Sequence, residues 1–243
     1  MKKKSLRSIW KLISFSLMKK LVLFYLVSCI LIGCTDDGQK EFEVKGALTN
    51  SNGEYIFLDE LTSTSVLTND SVKIDENGNF FITGNIQEVG FYRLRISDNN
   101  FVNLVINTGD QLSISADAPN LYNTYQIEGS RDAHLLYEFN DYVRKFNMKT
   151  DSLRRIAARV YGKANADSLN NAINLTYNQL LSERQSFARH FVDSNASSIS
   201  VLAAIQSLDP EKDMKSYLRA EKELVKLYPN SEYVKNFSLQ VVK

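Results

Sequence analysis

From Phe42 to Ile127 apolar and polar positions alternate along the chain. The apolar members are Phe42, Val44 and Leu48, then Ile56 and Leu58, Val72 and Ile74, and Phe80 and Ile82. Tyr92, Leu94 and Ile96 follow, then Val102, Leu104 and Ile106, Leu112 and Ile114, and Tyr125 and Ile127. A period of two places one face of each strand in a core and the other in water. Asn52-Gly53, Asn77-Gly78 and Gly109-Asp110 separate the runs. Asn and Gly tolerate the positive φ that tight hairpins require. About eight short strands at this spacing predict an antiparallel β-sandwich or a partly open barrel.

At Gly129-Ser130 the period becomes helical. Ser130 is an N-cap residue type, and Leu135, Phe139, Tyr142 and Phe146 fall on one face of the helix it would start. Asp151 or Ser152 can cap a second helix with Leu153, Ile156 and Val160, interrupted at Gly162. A long third helix over roughly 164–194 aligns Leu169, Ile173, Leu180, Phe187 and Phe191. Ser197 or Ser198 would start a short helix with Val201, Leu202 and Ile205. Asp209-Pro210 pairs a cap with proline at the first helical position. That helix ends before Pro229, and Ser231-Glu232 begins the last one, with Val234, Phe237 and Val241 inward. The predicted class is α+β: a β-sandwich or barrel over 42–129, followed by an all-α helical segment over 130–243.

The first 33 residues follow a different pattern. Lys19 and Lys20 precede an apolar run, Leu21 to Ile32, which ends in Leu31-Ile32-Gly33-Cys34. That run is shorter than the about 20 residues a spanning helix needs. Were the upstream apolar segment Leu12–Leu17 part of one span, two lysines would sit near its middle, at about 2.5 kcal/mol or more each. Basic, apolar, small and Cys in that order are the features of a lipobox. The expectation is a signal peptide over 1–33 cleaved after Gly33, with Cys34 carrying a diacylglycerol on its thiol and an acyl chain on its freed amine. Met18 reads as an alternative start to Met1. Residues 34–41 then form a tether. Thr35, Asp36 and Asp37 resemble the acidic export signal of Bacteroidetes-type lipoproteins, which sends them to the outer face of the outer membrane. The expected location is the outer membrane, lipid-anchored, on its periplasmic face or at the cell surface.

Removing the leader changes the charge. The whole chain has 29 Lys+Arg and 28 Asp+Glu, but residues 1–33 hold seven of the cations and none of the acids. The remainder has 22 cations and 28 acids, a net charge of −6. An acidic body of this kind does not suit a phosphate backbone, so no nucleic-acid partner is expected. Cys29 leaves with the leader and Cys34 is alkylated, which removes thiol nucleophiles, disulfides and cysteine metal sites from the body. Only His134 and His190 remain as histidines, far apart in sequence. No metal and no cofactor is expected.

Four further groups are candidates. Asp70 and Asp75, near Glu76, are acidic but lack the glycine-bent loop of a calcium site, and read as turn residues. Glu128, Arg131, Asp132 and His134 cluster where the period changes and either line a cleft or mark a polar helix start. His190 reads as a surface or core-edge residue beside Phe191. Phe91, Tyr92, Phe101 and Tyr122 either form a stacking patch on the sheet or are covered in part by the helical half.

The order of motifs is similar to that of a known family. The lipobox is followed by Phe42-Glu43-Val44-Lys45-Gly46, Tyr55-Ile56-Phe57-Leu58, Asp70-Ser71-Val72 and Asn77-Gly78-Asn79-Phe80-Phe81. Then come Tyr92-Arg93-Leu94, Gly109-Asp110, Ile127-Glu128-Gly129-Ser130 and Tyr228-Pro229-Asn230-Ser231-Glu232-Tyr233-Val234-Lys235. This resembles the N-terminal half of Bacteroidetes thiol-disulfide lipoproteins of the AhpC/TSA type. There, a β domain of unknown function (number 4369) and a helical segment precede a thioredoxin-like domain. The given sequence reaches Lys243 with no Cys-x-x-Cys pair, so the resemblance carries over no catalytic residue. It implies an accessory domain whose redox partner is lost or supplied in trans. The expected function is that of a non-catalytic, membrane-anchored binding or accessory module of the cell envelope, partnered by an envelope protein or a thioredoxin-like protein. A carboxylate hydrolase ranks last, with no motif behind it.

Overall fold

The computed structural model describes residues 41–161 and 166–241. Eight strands form among the described residues, and all but the third follow the predicted alternation; the third runs Val66–Lys73, is exposed along most of its length and ends before Ile74. They are β1 (Glu41–Thr49), β2 (Tyr55–Leu61), β3 (Val66–Lys73), β4 (Asn79–Asn85), β5 (Gly90–Ser97), β6 (Asn100–Ile106), β7 (Gln111–Asp117) and β8 (Gln126–Glu128). They make two four-stranded sheets, ordered β4-β1-β7-β8 and β3-β2-β5-β6. The second sheet is antiparallel throughout. The first is not, because β1 and β7 run parallel with Glu43 opposite Gln111. That one parallel pair departs from the expected antiparallel pattern, and hydrophobic periodicity carries no information on strand direction. A three-residue 3-10 turn (Ala118–Asn120) and a one-turn helix (Leu121–Thr124) lead from β7 to β8.

The inward residues of both sheets close one core. Val44, Ile56, Leu58, Leu94, Leu104, Leu112 and Ile114 are essentially inaccessible. Each such aliphatic side chain stabilises the fold by about 1.5–3 kcal/mol relative to exposure.

The glycine at the sheet-to-helix junction has a defined job. Gly129 has φ +115, and a Cβ there would stand 1.8 Å from the Gln111 carbonyl oxygen. The chain must leave β8 at this point and turn into the first helix. Gly129→Ala is expected to destabilise the protein by about 1–3 kcal/mol through backbone strain alone, with the clash adding to it. The check is a urea unfolding midpoint well below that of the parent.

The helices are α1 (Arg131–Val160), α2 (Ala166–Ser194), α3 (Val201–Ile205), α4 (Pro210–Leu227) and α5 (Glu232–Val241). Ser130 caps α1, accepting from the Ala133 amide, and Asp209 caps α4, accepting from the Glu211 amide. Two sequence expectations are corrected. No break occurs at Asp151-Ser152, and α1 runs 30 residues without interruption. Asp151 does not cap a new helix; its carboxylate takes Arg154 at 3.0 Å one turn on. Ser198 does not start α3 either: the helix begins at Val201 after Ser200, and the Ser198 hydroxyl bridges the turn before it, donating to Asp132 and accepting from the Ser200 amide at 3.2 Å. Gly162, the expected interruption, lies outside the described residues.

A heptad seam explains the length of α1. Phe139, Val143, Phe146, Thr150, Leu153, Ala157 and Val160 recur at alternating spacings of four and three, as do Ala166, Asn170, Ile173, Tyr177, Leu180, Arg184, Phe187 and Phe191. Phe139 packs against Phe187 and Phe191, and Arg184 lies 5.0 Å over the Phe146 ring, so the two helices run antiparallel. Spacing of this kind is the signature of a coiled-coil pair.

A second core joins the two halves. Val89 and Val105 from the sandwich enter it with Leu136, Phe139, Val192, Ile199, Ala204, Leu224 and Phe237. Phe91 packs at its edge. The outward face of the second sheet is thus partly covered by the helices, which accounts for its apolar residues at both phases of the strand.

Candidate functional site

The junction cluster resolves into one buried carboxylate and three surface residues. Asp132 sits in the first turn of α1, where a negative charge suits the helix dipole. It is 7% exposed. Its carboxylate accepts from Ser198 Oγ at 2.5 Å, Asn107 Nδ2 at 3.0 Å and the Tyr228 hydroxyl at 3.2 Å. Ser200 Oγ donates to the Asp132 carbonyl at 2.6 Å. One residue therefore ties the β6–β7 turn, α1, the segment before α3 and the end of α4. Burial pushes the Tyr228 hydroxyl up to about 12, and the Asp132 charge pushes in the same direction. This network is a structural hub. Glu128, Arg131 and His134 are exposed around it, with His134 facing Glu138 at 3.4 Å.

Asp110 stands beside the hub. Burial pushes its carboxyl above the ordinary value of 3.8, the Asp132 charge adds to this, and bonds from the Asn107 amide and the Ser130 hydroxyl oppose it. A carboxyl whose pKa rises on folding favours the protonated form, so its stabilising contribution is present at low pH and is lost as pH rises through the folded value. Asp110→Asn is therefore expected to be more stable than the parent at pH 7. The difference should close as pH falls toward 3.8, which unfolding curves across acidic pH would show.

The open site of most chemical interest lies where the second sheet meets α5. The end of β2, the connection between β4 and β5, and the first turn of α5 enclose a cleft of about 370 Å³. Glu60, Glu88 and Glu232 line it with Tyr92, Ser231 and Tyr233. Among the described residues that line it there is no Lys, Arg or His. Tyr233 fixes the wall: its hydroxyl donates to the Leu61 carbonyl and accepts from the Phe91 amide at 3.4 Å, and its ring meets Phe91 edge-on at 5.1 Å. Glu60 accepts from Asn69 Nδ2 at 3.3 Å. Burial pushes the Tyr92 and Tyr233 hydroxyls up, and the Glu60 carboxylate pushes both further. The Ser231 side chain is enclosed, and its hydroxyl has no hydrogen-bond partner among the described residues.

A second groove of about 420 Å³ runs between α1 and α2. Tyr142 and Phe187 form its floor, stacked with centroids 3.6 Å apart, and Glu138, Lys145 and His190 edge it. His190 is exposed, in agreement with its surface reading.

The remaining predicted residues separate. Asp75 is a turn residue: its carboxylate accepts from the Asn77 and Asn79 amides at 2.8 Å, and the Asn79 amide bond holds it below the usual range. Asp70 is not a turn residue: it lies in β3 opposite Leu58, at the register shift of the β2–β3 pair, and its carboxylate accepts from the Ser71 amide at 2.7 Å; Glu76 is exposed. The four aromatics do not form one patch. Tyr92 is in the sandwich core, Phe91 faces the helical core, Phe101 lies under Arg93 at 4.3 Å, and Tyr122 is exposed near α1. Gly33, Cys34, Thr35, Asp36 and Asp37 lie outside the described residues.

The cleft acids escaped sequence reading because they are spread from position 60 to position 232 with no spacing signal. One available sign was regional charge. Residues 41–129 hold four cations and 13 acids, a net charge of −9.

Comparison with known proteins matches the same region. Residues 42–136 match the family model described as a domain of unknown function (DUF4369). The matched segment begins in β1 and ends six residues into α1. It therefore takes in the whole sandwich and Asp132, and stops short of the α1–α2 seam. No curated protein matches the chain.

Proposed function

We propose that this chain is a non-catalytic lipoprotein of the outer membrane, held by acylated Cys34 and presenting its β-sandwich and helices as a binding or accessory module of the cell envelope. The observation that carries the reading is the order of basic, apolar and small residues ending at Cys34. A short acidic tether then leads into β1. The geometry is consistent with it. Buried Asp59 takes Arg95 at 2.6 Å, buried Asp213 takes Arg189 at 2.6 Å, and Asp132 ties four segments, so each of these carboxylates has a structural partner. Among the described residues two open grooves face solvent, one beside α5 and one between α1 and α2. Thr35, Asp36 and Asp37 favour export to the cell surface within this reading.

A second reading is that the body assists a thiol-disulfide oxidoreductase whose thioredoxin-like domain is lost or supplied in trans. The DUF4369 match and the motif order through Tyr233-Val234-Lys235 favour it. One experiment addresses both. Crosslinking in intact cells, followed by purification of the full chain, is expected to recover a specific envelope protein. A thioredoxin-like protein among the products selects the second reading. No specific product over repeated trials contradicts both.

A further inference from the structure

We propose that the acidic cleft between the second sheet and α5 is a receptor for a cationic side chain, the guanidinium or ammonium of an arginine or lysine on a partner polypeptide. The inference rests on the reading of the body as a binding module and supplies the chemistry of what it binds.

The cleft is asymmetric in charge and in hydrogen-bonding capacity. Glu60, Glu88 and Glu232 come from three separate elements and meet around one opening, with no cation among the described lining residues. A positive charge in that opening is attracted by all three carboxylates. The enclosed Ser231 hydroxyl is an independent sign. It lines the same cleft and has no hydrogen-bond partner among the described residues, and a buried polar group left unpaired is costly. A hydroxyl oxygen and three carboxylates are all acceptors, so the complementary ligand brings donors. Guanidinium brings five N–H donors and ammonium three, and neither accepts.

The wall suits the same ligand. Tyr233 is pinned through its hydroxyl to β2 and β5, so its ring is held in place before anything binds. A bound cation would meet this fixed aromatic side chain in the cleft wall. Beyond the cleft, the net charge of −9 over residues 41–129 raises the local concentration of any basic segment. A divalent metal ion is the competing cation. It would need several oxygens converging at about 2.0–2.6 Å, and no group of three or more His, Cys, Asp or Glu side chains among the described residues is placed to hold one.

The test uses the full chain in neutral detergent, with capped Gly-Arg-Gly, Gly-Lys-Gly and Gly-Gln-Gly tripeptides as probes and amide chemical shifts as the readout. The arginine and lysine peptides are expected to shift the Glu88, Gly90 and Glu232 amides saturably, and the glutamine peptide is not. Glu60→Gln combined with Glu88→Gln is expected to weaken arginine binding about tenfold or more, about 1.4 kcal/mol for each factor of ten. Glu88→Gln alone, in a connecting segment, keeps the test valid if Glu60→Gln disturbs β2, and should weaken binding by a smaller factor. Equal binding of the glutamine peptide, absence of saturable shifts, or an affinity unmoved by the substitutions would overturn the proposal. Saturable shifts of the same amides by calcium chloride but not by the peptides would overturn it too. These failures stand apart from failure of the broader reading, because a crosslinked partner can seat elsewhere on the body.

Discussion

Replacing Cys34 with serine is expected to move the protein almost entirely from the membrane fraction to the soluble fraction. The argument is one of anchoring energy. Each buried CH₂ of an acyl chain contributes about 0.8 kcal/mol, and a single chain binds only marginally. A triacylated cysteine carries more than enough to remain in place, while serine offers no thiol to alkylate and so carries none. No helix among the described residues is long and apolar enough to cross a membrane. Fractionation after a high-salt wash, with labelled fatty acid as a second readout, checks the outcome. Retention of the serine variant in washed membranes at the parental level would count against the anchor.

The largest expected effect on stability is that of Asp132→Ala. The substitution leaves the buried Ser198 hydroxyl and the half-buried Asn107 amide and Tyr228 hydroxyl without their acceptor. Unpaired buried donors cost about 1–3 kcal/mol each, and with partial rearrangement the total expected is about 3–5 kcal/mol. Asp132→Asn keeps one acceptor oxygen and should lose less. Because the hub ties the sandwich to three helical segments, the loss should appear as a lower urea midpoint for helix and sheet signals together. Circular dichroism reads both. A midpoint shift confined to the helical signal would mean that Asp132 does not couple the two halves.

Most of the architecture is readable from the chain because every strand but β3 buries one face. Phe42, Val44, Ile56, Leu58, Phe80, Ile82, Leu94, Leu104, Leu112 and Ile114 are all in the core that their alternation implies. The caps Ser130 and Asp209 were readable for a similarly local reason, since a cap bonds within its own first turn. What failed was non-local. The parallel pairing of β1 with β7 joins segments more than 60 positions apart. The false break at Asp151-Ser152 arose because a cap residue type is also a good partner for an arginine three positions on, and the heptad seam overrode it. Asp132 was visible as a polar residue at a helix start, but its donors come from positions 107, 198, 200 and 228, and only the fold assembles them. The same holds for Glu60, Glu88 and Glu232.

The attachment itself is open to one direct measurement, the intact mass of the protein purified from its native membranes. A chain beginning at Cys34, heavier than its residues by a diacylglycerol and a fatty acyl group, is the predicted result. A free thiol at that position, or a product still carrying residues before it, would contradict the account.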